Sequence, residues 1–365
     1  MTQQFRVPMS RPDLGSEERN AILSVLKDGW VSQGKVTDEF EALLSKYLSS
    51  NAISVNNGSS ALMCALIAHG LRPGDKVIVP AFTFIATSSI PKLLGARVIV
   101  ADIDPETLNM HPEAVARILK SQDDVKMVVT VDVAGMSANI DAFTELSRRH
   151  DFTLIEDAAE AFGAEFKNRK LGAFDHTTIF SFQIAKQITT IEGGCIATQD
   201  ERALRKMKKI KDYGRSSIER YEHDFVGANF RTTDLQSAMG IAQLRKVEKY
   251  IDRRNAIASQ FRRKIKNVEF QLVPRYATRH SYMLFFAKAE DGASRDRFMR
   301  HAIKQGIDVR KCWTPIHMQP CNPELGRSKC PNAESIFERT FTIPIYNSMD
   351  SAEVAAVVEA FSSAE

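Results

Sequence analysis

The stretch Ser181-Phe182-Gln183-Ile184-Ala185-Lys186-Gln187-Ile188-Thr189-Thr190-Ile191-Glu192-Gly193-Gly194 decides how the chain reads. The β-branched and aromatic run Thr177-Thr178-Ile179-Phe180 precedes it and predicts a buried strand that delivers the segment. A Thr-rich turn and a Gly-Gly break follow. Lys186 is therefore expected just past a strand exit, where ligand crevices form in α/β sheets. A lysine desolvated there becomes a nucleophilic amine able to form a Schiff base. A lone lysine is far more often a solvated loop residue, so the reading turns on a second segment.

That segment is Thr153-Leu154-Ile155-Glu156-Asp157-Ala158-Ala159-Glu160-Ala161-Phe162-Gly163. A short apolar strand ends in an acid, then in small residues, then in glycine. Asp157 falls at the carboxyl end of a second predicted parallel strand; capping a helix N-terminus is the competing role. A lysine and a carboxylate at neighbouring strand ends suit pyridoxal 5'-phosphate. The lysine takes the cofactor's aldehyde, and the carboxylate keeps the ring nitrogen protonated so that the ring accepts electrons.

The Glu156–Ala161 block and the later Ser181-Phe182…Lys186…Glu192-Gly193-Gly194 resemble the two signature blocks of the DegT/DnrJ/EryC1/StrS sugar aminotransferases. These are pyridoxal-phosphate enzymes of the aspartate-aminotransferase fold. The resemblance spans nearly the whole chain, with several blocks in the same order. It implies the α/β PLP-transferase fold type I. Residues 1–248 would form a large domain with N-terminal helices and a mostly parallel seven-stranded sheet flanked by helices. Residues 249–365 would form a smaller α+β domain.

The resemblance also implies roles. Lys186 attaches the cofactor and moves protons, and Asp157 serves the ring nitrogen. Gly58, Ser59 and Ser181 meet the phosphate, Phe84 stacks on the ring, and Glu160 lies near its phenolic oxygen. Asn229, in Gly227-Ala228-Asn229-Phe230-Arg231, reaches phosphate across a two-fold interface. Gln183, Arg231 and His317 fall to the substrate side. Local readings compete at each place. Asn57 or Ser59 can simply cap a helix, Phe84 and Trp30 can be core aromatics, and Ser181 can bond to backbone. Thr232 or Thr233 can cap the helix after Arg231, and His317 can be a satisfied structural histidine.

The totals agree. At 365 residues the chain exceeds one typical core. A hydrophobic content of 44% and a net charge of +4, not gathered into a tail, make no case for nucleic acid. The five cysteines contain no C-x-x-C pair, so neither a zinc site nor a disulfide framework is expected, and reduced thiols fit the cytoplasm. The N-terminus Met1–Val7 has no apolar core of signal-peptide length, and no run approaches the ~20 residues of a membrane span.

Strand–helix alternation through residue 200 predicts a parallel sheet covered on both faces. One long helix is expected from the Asn229 block through Leu244 and Tyr250 towards Ile265. Two positions depart from the family pattern. Ile191 stands where a small residue is usual, which predicts a tighter or reshaped loop. Glu160 stands where Gln or His is common, and a carboxylate there needs protonation or compensation.

The expected protein is a cytosolic homodimeric aminotransferase with shared active sites. The resemblance implies that it would move the amino group of L-glutamate to a nucleotide-linked keto-sugar, and the Lys186 loop looks more like that of relatives that aminate C4 of a 4-keto-6-deoxyhexose than of those acting at C3. A cyclitol or other nucleotide-free ketone is the nearer alternative, and a non-catalytic regulator with this fold the more distant one.

Overall fold

The structure is a computed structural model that describes residues 5–216, 218 and 221–363. The first four residues, on which part of the leader reading rests, lie outside the described set. The chain opens with α1 (Ser16–Asp28) and α2 (Lys35–Leu48). Strands and helices then alternate: β1 (Asn51–Val55), α3 (Gly58–Ala68), β2 (Lys76–Pro80), α4 (Ala86–Leu93), β3 (Arg97–Ala101), α5 (Pro112–Ser121), β4 (Val125–Val131), α6 (Ile140–His150) and β5 (Thr153–Asp157). The short pair β6 (Glu165–Phe166) and β7 (Arg169–Lys170) precedes β8 (Thr177–Ser181), β9 (Gly194–Thr198) and α7 (Glu201–Ile210). Next come α8 (Asp234–Leu244), α9 (Val247–Lys264), β10 (Glu269–Phe270), β11 (Phe285–Lys288), α10 (Gly292–Lys304), α11 (Pro331–Arg339), β12 (Thr340–Ile343) and α12 (Ser351–Ser362).

Seven strands form one sheet in the order β1-β9-β8-β5-β4-β2-β3. Strands β8, β5, β4, β2 and β3 run parallel, and β9 is antiparallel to both β8 and β1. The predicted mostly parallel, seven-stranded sheet is therefore present. Its central strands are largely buried because helices cover both faces: β8 is fully buried, and α3 packs against it and β9.

A second core lies around the antiparallel sheet β10-β11-β12, where Phe285, Phe341, Phe361, Ile257 and Phe261 meet. Val7 is buried in that core too and bridges to Ile307, so the start of the chain threads the C-terminal part of the molecule. Strand β10 is only the two residues Glu269 and Phe270.

The predicted long helix is broken. Helix α8 ends at Leu244 and α9 starts at Val247, with Arg245 and Lys246 between them. Ile241 before the break and Val247 after it pack in the same core, and the switch to the second core comes later, within α9. Val247, Tyr250 and Ile251 join the core beside α2, while Ile257, Ala258 and Phe261 enter the second core. Helix α8 starts three residues after Arg231, capped by Thr233 and Gln236 in a reciprocal capping box.

Candidate active site

The carboxyl ends of β5 and β8 open into a cavity of about 670 Å³. Lys186, Asp157, Glu160, Ser181, Gln183, Gly58, Ser59 and Phe84 all line it. Residues separated by more than a hundred positions converge there because parallel strands all end on the same edge of the sheet.

Asp157 is the last residue of β5 and is buried. It caps no α-helix. Its Oδ2 accepts from Thr87 Oγ1 at 2.8 Å, and its Oδ1 accepts from the Ala159 N–H at 3.2 Å. Thr83 Oγ1 lies 3.1 Å from Thr87 Oγ1 and extends the chain of hydroxyls. Burial raises the Asp157 carboxyl above its ordinary range, and the Thr87 bond, the Ala159 bond and the charge on Lys186 pull it back. Neither threonine stands out in the sequence. Only the fold brings α4 against the end of β5.

Lys186 sits in the turn after β8, its N–H bonded to the Gln183 carbonyl at 2.9 Å. Gln183 Oε1 accepts from the Ala185 N–H at 2.8 Å, so the glutamine shapes the turn that carries the lysine as well as facing the cavity. Glu160 is buried, and its Oε2 accepts from the Ala134 N–H at 2.8 Å. Burial raises this carboxyl too, opposed by Lys186 and that backbone bond. The backbone donor and the lysine offset only part of the burial, so the carboxyl stays raised.

The turn at Gly58-Ser59 opens α3, with Asn57 as its cap: Asn57 Oδ1 accepts from the Ser60 N–H at 2.8 Å. The first-turn N–H groups therefore face outward next to Ser181. A Cβ at Gly58 would lie 3.0 Å from Ser181 Cβ, so glycine keeps this cradle open. Gly194 explains the Gly-Gly break after the lysine loop. A Cβ there would meet Asn57 O at 2.6 Å, which ties the lysine loop to the phosphate turn. Gly194→Ala is expected to cost about 1–3 kcal/mol and to weaken cofactor retention, read from the thermal midpoint and the bound-cofactor absorption after dialysis.

Ile191 adopts φ 73° and is exposed. The loop thus holds at this position a left-handed turn of the kind glycine favours, at a cost of order 1–3 kcal/mol for a β-branched residue.

Phe84 is 57% exposed and lines the cavity rather than packing in the core. Trp30 is also exposed, its indole N–H donating to the Gln33 carbonyl at 3.1 Å, so the core-aromatic reading fails for both. Asn229, Arg231 and His317 do not line this cavity. Asn229 Oδ1 accepts from the Arg231 N–H at 3.2 Å, and Arg231 pairs with Asp212. His317 is buried with Nε2 3.1 Å from Glu334 Oε1. Sequence reasoning passed over Arg310 and Cys312, which line the cavity with Met9 and Ser10. They come from both ends of the chain and carry no local motif. Among the described residues no cluster suited to a metal ion is present.

These residues fit pyridoxal phosphate. A glycine-kept cradle at a helix N-terminus suits its phosphate, a buried carboxylate held by two donors suits its ring nitrogen, and the lysine shares the same cavity. Fold and site together define a fold-type-I aminotransferase with that cofactor. The model of the DegT/DnrJ/EryC1/StrS aminotransferase family matches residues 12–362, and the chain belongs to that family. It is 31% identical to GDP-perosamine synthase of Caulobacter vibrioides, over 99% of this chain and 98% of that one. An uncharacterised Methanocaldococcus jannaschii protein, MJ1066, is 32% identical over 99% and 98%. DesV of S. venezuelae, solved with a ketimine intermediate, superposes with a TM-score of 0.91 at 27% identity and covers 97% of each chain.

Proposed function

We propose that the protein transfers an amino group from L-glutamate to the keto carbon of a nucleotide-linked sugar, at C4 of a 4-keto-6-deoxyhexose. The observation that carries this reading is the near-complete overlap with GDP-perosamine synthase, with Lys186 and Asp157 set in one cavity.

Bound pyridoxal phosphate supplies an aldehyde for amine attachment and a cationic ring that takes up the electrons of a broken C–H bond. The chain's own groups supply the rest. Lys186 Nζ is the attachment point and, once released, moves a proton between the donor's α-carbon and the cofactor carbon beside it. Asp157, oriented by Thr87 and Ala159, holds the ring-nitrogen proton. The α3 N-terminus with Ser59 and Ser181 binds phosphate, and Phe84 covers the ring face and excludes water.

A homodimer completes the site in this reading. Ile191, Val226 and Trp30 are exposed apolar side chains on the loops next to the cavity and the Asn229 block. The Phe230 carbonyl accepts from the Asn56 N–H at 2.9 Å, which brings the Asn229 block beside the phosphate turn. Covering this surface with a second copy would offer Asn229 and Arg231 to the partner's cavity.

Two half-reactions test the assignment. L-Glutamate should convert the protein to its pyridoxamine form, with loss of the pyridoxal absorption. After removal of glutamate, a nucleotide-linked 4-keto-6-deoxyhexose should restore it. A first step without the second would turn the assignment towards a nucleotide-free ketone.

A further inference from the structure

A second pair of acids lies behind Asp157, outside the chemistry derived above. Glu156 precedes Asp157 on β5, so strand alternation sends its side chain to the opposite face. It pairs in register with Thr130 of β4 and Thr178 of β8. Asp132 stands two residues beyond Thr130, which places it towards the same face, and its N–H donates to the Asp157 carbonyl at 3.1 Å. Asp132 and Glu156 are 0% and 1% exposed.

One oxygen of each acid is satisfied. Asp132 Oδ1 accepts from the Ala138 N–H at 2.7 Å. Glu156 Oε2 accepts from Thr178 Oγ1 at 2.7 Å and lies 3.2 Å from His176 Nε2. The other two oxygens, Asp132 Oδ2 and Glu156 Oε1, are buried and have no donor. Among the described residues neither acid pairs with a lysine or arginine. The titratable groups facing them are Asp157 on β5, His176 before β8 and Tyr276 in the segment after β10.

Two ionised carboxylates in this setting would carry two bare buried oxygens and a like-charge repulsion. One proton removes both penalties, since the acid donates and the carboxylate accepts. Burial first, and Glu156 next, push Asp132 well above its ordinary range. The charge on Glu156 also raises Asp157 from behind.

We propose that Asp132 and Glu156 share one proton, and that the single negative charge they retain strengthens the hold of Asp157 on the cofactor's ring proton. The second half of this proposal rests on the role assigned above to Asp157. Asp132 and Glu156 are positioning residues that act through it.

Asn in place of a protonated Asp keeps both the donor and the charge count. Asp132→Asn should therefore leave the pH at which the holoenzyme's visible absorption titrates unchanged. The double variant Asp132→Asn, Glu156→Gln removes the charge. Loss of a nearby negative charge disfavours every protonated form of the cofactor, so its titration should move about one unit lower. Infrared difference spectra of the holoenzyme supply the second arm. Wild type should show the carbonyl stretch of a protonated buried carboxyl, shifted in D2O and missing from Asp132→Asn. Absence of that band overturns the shared proton, whether or not the double variant folds. A band present with an unmoved double-variant titration overturns the link to Asp157. Failure of both half-reactions in wild type would count against the proposed function and leave the infrared test standing.

Discussion

Lys186→Ala should slow the glutamate half-reaction by about 10⁴-fold, because it removes both the attachment amine and the group that moves the α-proton. The thermal midpoint should fall only modestly, through loss of the charge that opposes the burial of Asp157 and Glu160. The backbone of the turn is held by the Gln183 carbonyl and by Gln183 Oε1, not by the lysine side chain. The measurement is single-turnover absorption with glutamate, beside a melting curve. A variant that keeps more than about a tenth of the rate would remove Lys186 from the chemistry. A variant that fails to fold would show that the lysine has a structural part the geometry does not reveal.

Asp157→Asn should lower the same rate by about 10²–10³-fold, since the amide cannot hold the ring-nitrogen proton against a negative charge. Its effect on stability should have the opposite sign. Burial raises the Asp157 carboxyl in the folded state, so the unfolded chain gives up this proton at lower pH than the native one does. Stability is then lost as pH rises from the unfolded value of about 3.9 into the raised folded range, and stays lost above it. The amide has no charge to desolvate and can still accept from Thr87. Stripped of cofactor at neutral pH, Asp157→Asn should melt no lower than wild type and should show less decline in midpoint as pH rises. A lower midpoint at all pH values would mean that the ionised carboxylate is stabilised more than burial destabilises it.

These two effects separate function from folding at neighbouring positions. The groups assigned to the chemistry occupy a strand end and the turn after β8, where they line the cavity. The residues that hold the architecture sit further in. Gly194 packs against the Asn57–Gly58 peptide, and the box of Thr233 and Gln236 starts α8. Asp234 Oδ1 accepts from the Gly34 and Thr37 N–H groups at 2.8 and 2.9 Å, locking α2 to α8.

Much of this was readable along the chain. Strands β5 and β8 announce themselves by short runs rich in apolar and β-branched residues, and Asp157, which ends β5, and Lys186, in the turn after β8, follow from sequence order because parallel strands bring their carboxyl ends to the ligand edge. The Gly58-Ser59 turn and the alternation that builds the sheet are local signals of the same kind. What sequence order does not contain is which distant segments come to rest against those ends. Thr87 meets Asp157 across 70 positions. Arg310 and Met9 share a wall although they lie at opposite ends of the chain. The break at Arg245 and Lys246 has no local signal either, since neither residue is a helix breaker. The Asp132–Glu156 pair belongs to this second group. Each acid alone reads as a strand-end carboxylate, and only the tertiary structure buries both with one oxygen of each left bare. Local propensity and periodicity are properties of neighbours in sequence. Desolvation and pairing depend on neighbours in space, which exist only once the sheet has closed its order.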